Sequence, residues 1–114
     1  MNENKHHILA DIVLYSSENG GRKGPTPTKS FGCPLQILDK LFDCRFILEN
    51  LGSLFPGDEK HRIPVIFLSP GEALNFFGLG SKFKIWELGI IGEGRVVEVN
   101  SIGKNFLRSN RNDF

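Results

Sequence analysis

Two basic residues stand directly behind a pair of glycines in the segment Gly20-Gly21-Arg22-Lys23. Asn-Gly and Gly-Gly steps adopt positive φ at little cost, so the residues from Glu18 onward predict a tight turn. An arginine fork and a lysine amine on this turn can contact a phosphate or an acidic partner, and the glycines allow close backbone approach. The same residues also suit a solvated turn whose charges keep a strand edge soluble. Both interpretations remain open on the sequence.

The three histidines have the wrong arrangement for a shared metal ion. His6 and His7 are adjacent, and adjacent side chains on a strand point to opposite faces, while His61 lies far along the chain. We therefore expect surface histidines and no metal site. Four glutamates near turns do not pair in sequence and are interpreted as solvated carboxylates: Glu72, Glu87, Glu93 and Glu98.

Two cysteines, Cys33 and Cys44, are too few for a disulfide framework, so we interpret them as reduced, half-buried thiols. A nucleophilic cysteine needs a basic and partly exposed setting. Arg45 supplies a neighbouring charge, but Cys44 falls on the apolar face of its segment. A structural role is therefore favoured over a reactive one.

Catalytic and nucleotide-binding motifs are missing from the sequence. No Gly-x-Ser-x-Gly occurs, and the Gly103-Lys104-Asn105 segment lacks both the upstream glycine spacing and the hydroxyl residue of a phosphate-binding loop. We therefore predict a protein that is not an enzyme and that needs no cofactor, metal or nucleotide.

Composition bounds the architecture. The 114 residues fit one domain with a modest core, and 39% hydrophobic against 24% charged residues is an ordinary balance. Ten phenylalanines predict a core that depends on ring packing. The net charge of +1 gives no global attraction to nucleic acid. No segment approaches the roughly 20 apolar residues of a membrane span, and Met1–His7 lacks the apolar part of a signal peptide, so we expect a cytoplasmic location without membrane contact.

Short apolar runs with strand periodicity alternate with proline and glycine turns. We predict strands at 7–15, 31–38, 43–49, 60–68, 81–88 and 95–99, a helical turn or wide loop at 73–77, and a glycine-rich connection at 89–94. About six short strands with almost no helix favour an all-β fold, a small closed antiparallel β-barrel or a sandwich, and closure removes exposed edges. The stretch 10–27 has the pattern of a hairpin.

The predicted core joins residues from most of these strands: Ile12, Leu14, Phe46, Phe67, Phe83 and Val97. The barrel domain is expected to span 7–101, after an N-terminal extension at 1–6. Beyond Ser101 the composition shifts to Asn, Ser and basic residues, which predicts a flexible C-terminal tail at 102–114.

Three segments carry a resemblance to a known family. They are Ala10-Asp11-Ile12 running into Glu18-Asn19-Gly20-Gly21-Arg22-Lys23-Gly24-Pro25, the turn Phe55-Pro56-Gly57-Asp58, and Phe83-Lys84-Ile85-Trp86-Glu87 running to Gly94-Arg95-Val96-Val97. In order and rough spacing, residues 8–99 resemble the C-terminal β-barrel domain of elongation factor Tu and related translational GTPases. The resemblance implies a six-stranded antiparallel barrel of the elongation factor Tu C-terminal type.

The resemblance also implies which part of the chain binds a partner. The family's last hairpin has an arginine that approaches tRNA, and Ile90 stands at that position here. No GTPase motif accompanies the barrel. We therefore expect a stand-alone, non-enzymatic, translation-factor-like barrel that binds a protein partner through the face a GTPase domain would cover. An RNA- or tRNA-binding module is the alternative, and binding residues in either case are Gly20, Gly21, Arg22 and Lys23.

Overall fold

The computed structural model describes residues 6–100, which form a closed β-barrel of six antiparallel strands. The strands follow each other around the barrel in the order β1-β4-β3-β2-β5-β6, and β6 closes onto β1. Their bounds are β1 Ile8–Leu14, β2 Ser30–Ile37, β3 Lys40–Ile47, β4 Glu59–Phe67, β5 Lys82–Trp86 and β6 Ile90–Val99. The predicted all-β closed barrel is confirmed.

Helix is confined to two short turns in the described residues. A 3-10 turn covers Ser17–Asn19, and α1 covers Pro70–Ala73, just before the predicted helical turn. Proline at the start of α1 has the φ that a first helical turn requires. Most of the predicted N-terminal extension and the entire predicted tail, 102–114, lie outside the described residues.

Phenylalanine rings fill the barrel, as the composition predicts. The Phe77 ring packs against three others, with centroids 4.7 Å from Phe67, 5.7 Å from Phe42 and 5.8 Å from Phe83. Tilted and edge-on arrangements of this kind stabilise beyond the area they bury. Five of the six predicted core residues are buried, namely Ile12, Leu14, Phe46, Phe67 and Phe83.

The sixth core prediction, Val97, is wrong, and Val96 takes its place at 1% exposure. The pairing of β1 with β6 shifts register, since Leu9 lies opposite Glu98 while Ala10 lies opposite Val96. One extra residue on β6 at this irregularity exchanges which side chains face inward.

The glycine-rich stretch 89–94 is not a connection, because β6 begins at Ile90. A Cβ on Gly92 would lie 2.5 Å from the carbonyl oxygen of Val13, and one on Gly94 would lie 2.6 Å from the Phe83 ring. These glycines are therefore needed inside the barrel wall, where the Val13 backbone approaches Gly92 and the Phe83 ring fills the space that a side chain at position 94 would take.

The stretch 10–27 is not a hairpin either. In the barrel β1 pairs with β4 and β6, while β2 pairs with β3 and β5. The connection from β1 to β2 therefore runs across one end of the barrel, and its backbone joins the loop after β3 through the Thr26 amide, which donates to the Leu54 carbonyl at 2.9 Å. The two-residue turn between β2 and β3 is a true hairpin, with Leu38 at φ 56°.

Candidate functional site

The predicted turn lies a few residues after β1, at the 3-10 turn Ser17–Asn19 and the glycines that follow it. Gly20 has φ 95°, as the sequence indicates, and the Gly21 amide donates to the Ser16 carbonyl at 2.8 Å. A Cβ on Gly21 would lie 1.9 Å from the carbonyl oxygen of Tyr15, so no other residue fits without a backbone shift. Both glycines thus have a structural reason to be where they are.

The Arg22 side chain folds back onto the barrel end. Its Nε donates to the Gly24 carbonyl at 3.1 Å, Nη2 donates to the Pro25 carbonyl at 3.0 Å, and Nη1 donates to the Glu87 carboxylate at 2.5 Å. The guanidinium also stacks 5.1 Å from the centre of the Phe31 ring, and the side chain is only 18% exposed. All three guanidinium nitrogens are therefore engaged within the chain, and Lys23 is the exposed cation of the turn.

The three segments that carry the family resemblance meet at this end of the barrel. Gly57 has φ 87°, and its amide donates hydrogen bonds to the Leu14 and Tyr15 carbonyls at 3.1 and 3.2 Å. The ion pair between Arg22 and Glu87 connects the first segment to the hairpin between β5 and β6. The site prediction at Gly20, Gly21, Arg22 and Lys23 stays a prediction, with Arg22 placed in a supporting position.

A groove of about 740 Å³ runs across the outside of the barrel. The outward side chains of β4, β1, β6 and β5 line it, together with the end of β2 and the turn that follows. Its lining includes the side chains of Asp11, Val13, Leu38, Glu59, His61, Lys82, Lys84, Ile90, Glu93 and Arg95. We call this surface the outer groove.

One row of charged side chains crosses the outer groove from β4 to β5. Asp11 lies opposite Arg95, and Arg95 lies opposite Lys82. An Asp11 oxygen lies 3.3 Å from His61 Nδ1 and 3.9 Å from Arg95 Nη2. Partial burial raises the pKa of the Asp11 carboxyl, but the hydrogen bond from the Arg62 amide and the charges of His61 and Arg95 outweigh it, and the pKa is lowered.

A backbone irregularity positions this row. Asp11 Oδ1 accepts a 2.9 Å hydrogen bond from the Arg62 amide, and Arg62 has φ 57°. The pairing of β1 with β4 shifts between Ala10 and Ile12, so β4 carries an extra residue here. Positive φ at a non-glycine residue is costly, and the hydrogen bond from the Arg62 amide to the Asp11 carboxylate stabilises this backbone conformation. The sequence does not predict this arrangement, because an arginine rarely adopts positive φ.

A second row lies one step along the strands. Val13 has Glu59 on one side and Glu93 on the other, and Glu93 lies opposite Lys84. Glu93 accepts hydrogen bonds of 2.9 Å from both Lys84 Nζ and the Tyr15 hydroxyl. These two hydrogen bonds lower the pKa of the Glu93 carboxyl, and the bond from Lys84 has the larger effect. The same bond raises the pKa of the Lys84 amine.

Residues 6–100 contain no group of three or more His, Cys, Asp or Glu side chains that could hold a metal ion. The expectation of a surface position is wrong for His7, which is 8% exposed and whose Nδ1 accepts a 3.1 Å hydrogen bond from the Phe67 amide. Burial, together with the charge of His6, lowers the pKa of His7.

The cysteines lie opposite each other inside the barrel. Cys33 on β2 pairs in register with Cys44 on β3, and both are buried free thiols. Burial raises the pKa of the Cys44 thiol, and the hydrogen bond with Cys33 raises it further. A thiol that stays protonated is a poor nucleophile, which agrees with the structural role that the sequence favours.

Comparison with protein-family models and with curated proteins finds no match for this chain. Within residues 6–100, no helix has the length and apolar character needed to cross a membrane.

Proposed function

We propose that this chain is a non-enzymatic, translation-factor-like β-barrel that binds a protein partner through the outer groove. The observation that carries the proposal is the mixed charge of the groove, which is lined by cations of β5 and β6 and by carboxylates of β1, β4 and β6. Three of these carboxylates, Asp11, Glu59 and Glu93, would face a nucleic acid laid along the groove. Interfaces between proteins, in contrast, match positive patches to negative ones.

Apolar side chains among these charges support the same proposal. Val13 is 38% exposed, Ile90 is 40% exposed and Leu38 is 77% exposed, and all three line the outer groove. A protein interface needs apolar contact area surrounded by polar groups, whereas phosphate binding does not. The engagement of Arg22 by Glu87 also weakens the alternative of tRNA binding, since the best anion ligand of the predicted turn is already occupied.

The translation-factor-like part of the proposal is supported by the way the three resembling segments meet at one end of a six-strand closed barrel. We place the protein in the cytoplasm, and the free thiols of Cys33 and Cys44 support that placement.

The experiment places a photo-activated cross-linking amino acid at position 13, replacing Val13 in the middle of the outer groove. Arg45 is the matched control position, because it is exposed on β3 and outside the groove. After irradiation in lysate of the native host, position 13 should yield a discrete protein adduct that excess unmodified chain suppresses, and position 45 should not.

A parallel titration addresses RNA. The purified chain is titrated with tRNA at low and at physiological salt, because phosphate contacts weaken steeply as salt rises. We expect no saturable binding in the micromolar range. Micromolar or tighter binding with a steep salt dependence, together with RNA adducts at position 13, would replace the protein-binding proposal by the RNA-binding one.

A further inference from the structure

Two cations lie directly opposite each other at the β5–β6 side of the outer groove. Lys82 and Arg95 are register partners, and both side chains are exposed on the outside of the barrel. Like charges directly opposite on neighbouring strands destabilise a sheet. A pair of this kind is expected either to be neutralised within the protein or to be satisfied by a ligand.

The protein neutralises this pair only in part. The carboxylate beside Arg95 is Asp11, at 3.9 Å, and its oxygens already serve the Arg62 amide and His61. Within residues 6–100, no carboxylate lies within 4.0 Å of the Lys82 amine, in contrast to Lys84 with its 2.9 Å contact to Glu93. The Lys82 amine therefore makes no direct ion pair within the described chain, and the Glu93 carboxylate, which already accepts from Lys84 and Tyr15, interacts with its charge only at longer range.

An exposed leucine lies beside these cations. Gln36 on β2 lies opposite Lys84 on β5, so the turn after β2 reaches the start of β5, where Lys82 is located. Leu38 lies in that turn at φ 56° and is 77% exposed, and it lines the same groove as Lys82 and Arg95. The exposed Leu38 side chain and the two cations thus lie close together in the outer groove.

We infer that this corner of the outer groove binds an acidic, extended segment of the partner protein, with carboxylates on Lys82 and Arg95 and an apolar side chain on Leu38. The inference rests on the proposed function and adds the chemistry of the partner. Arginine gives a carboxylate two parallel hydrogen bonds and lysine gives it a point charge. A peptide can place its charge at these two positions alone, whereas a nucleic acid strand would continue past the Glu93 and Asp11 carboxylates.

The test is a nuclear magnetic resonance titration of the full chain, labelled with nitrogen-15, at low salt. The probe is a capped peptide in which glutamate alternates with leucine, and its control is the same peptide with lysine in place of glutamate. The acidic peptide should shift the amide signals of Leu38, Lys82 and Arg95, and the basic peptide should not. The double variant Lys82→Glu/Arg95→Glu should bind the acidic peptide at least tenfold more weakly.

A charge-matched control separates the corner from net charge. The variant Lys29→Glu/Arg45→Glu makes the same change in net charge at exposed positions outside the groove, and it should bind the acidic peptide within about twofold of the unmodified chain. Circular dichroism and melting temperature verify that both double variants are folded, since exposed substitutions change stability little.

Any of three results would overturn the inference even if the acidic peptide binds. They are equal binding of the acidic and basic peptides, equal losses in the two double variants, and tighter binding of oligouridylate than of the acidic peptide at the same amides. If the acidic peptide does not bind while position 13 still cross-links to a protein, the inference fails and the proposed function stands. If position 13 cross-links to RNA alone, both fail.

Discussion

Replacing Arg22 by alanine tests whether this residue supports the barrel end or faces a partner. The substitution removes two hydrogen bonds to backbone carbonyls, the ion pair with Glu87 and the contact with the Phe31 ring. Each hydrogen bond to a backbone carbonyl contributes about 1 kcal/mol to the free energy of unfolding. A partly exposed ion pair contributes up to about 1 kcal/mol, and a cation stacked on an aromatic ring contributes about 0.5 to 1 kcal/mol. Water replaces part of this at the exposed edge, so we expect a loss of about 2 kcal/mol in the free energy of unfolding.

The loss is measurable by thermal and urea unfolding. For a domain of this size, 2 kcal/mol lowers the melting temperature by about 10 °C. Circular dichroism follows the strands, and the fluorescence of Trp86, which donates a 2.6 Å hydrogen bond to Gln36, gives an independent probe. Lys23→Ala is the control, because this exposed neighbour should change the free energy of unfolding by less than about 0.5 kcal/mol.

A double-mutant cycle with Glu87→Gln isolates the ion pair from the other contacts of Arg22. A coupling free energy of about 0.5 kcal/mol or more is expected, since the pair is only partly exposed. If Arg22→Ala destabilises no more than Lys23→Ala, the side chain does not hold the barrel end together. The turn would then return as the principal candidate for partner binding.

Substitutions at three further positions test the fold. Phe83→Ala should cost about 3 to 5 kcal/mol in urea unfolding, and a loss under about 1 kcal/mol would contradict its 3% exposure. Thr26→Val should lower the free energy of unfolding by about 1 to 3 kcal/mol, because the Thr26 hydroxyl accepts a 2.9 Å hydrogen bond from the buried Leu54 amide. Thr26→Ser keeps the hydroxyl and should lower it much less. Burial lowers the pKa of His7 in the folded protein below 6.5. Between that lowered pKa and pH 6.5 the unfolded chain binds more protons than the folded one, so the free energy of unfolding should decrease as the pH drops from about 6.5 to the lowered pKa. His7→Asn, which can still accept the Phe67 amide, should reduce that pH dependence, and an unchanged one would contradict the assignment.

Local patterns predict this fold well where one rule decides the outcome. The alternation of Phe83 and Ile85 with exposed lysines predicts which face of β5 is buried, and proline-glycine turns mark the connections. The register of β6 escapes the same reasoning, because the shift opposite Leu9 and Ala10 depends on a partner strand that lies far away in sequence. Gly92 and Gly94 lie in a stretch with the composition of a loop but prove to be wall positions for the same reason. The Val13 backbone approaches the first, and the Phe83 ring fills the space beside the second.

The outer groove could not be predicted from the sequence, because its side chains become neighbours only through the strand order. Asp11, Arg95 and Lys82 belong to three strands, and a sandwich of the same six strands would separate them. The charge of a residue alone does not predict its role either. Arg22, beside a glycine turn, has the sequence of a partner contact and yet meets acceptors at all its nitrogens, whereas Lys82 has the sequence of an ordinary exposed strand residue and meets none within residues 6–100. A cation whose hydrogen bonds are already made contributes to the fold, and one that is left beside a like charge remains available to a partner. The contact with an acidic partner is therefore expected at the β5–β6 corner of the groove rather than at the turn.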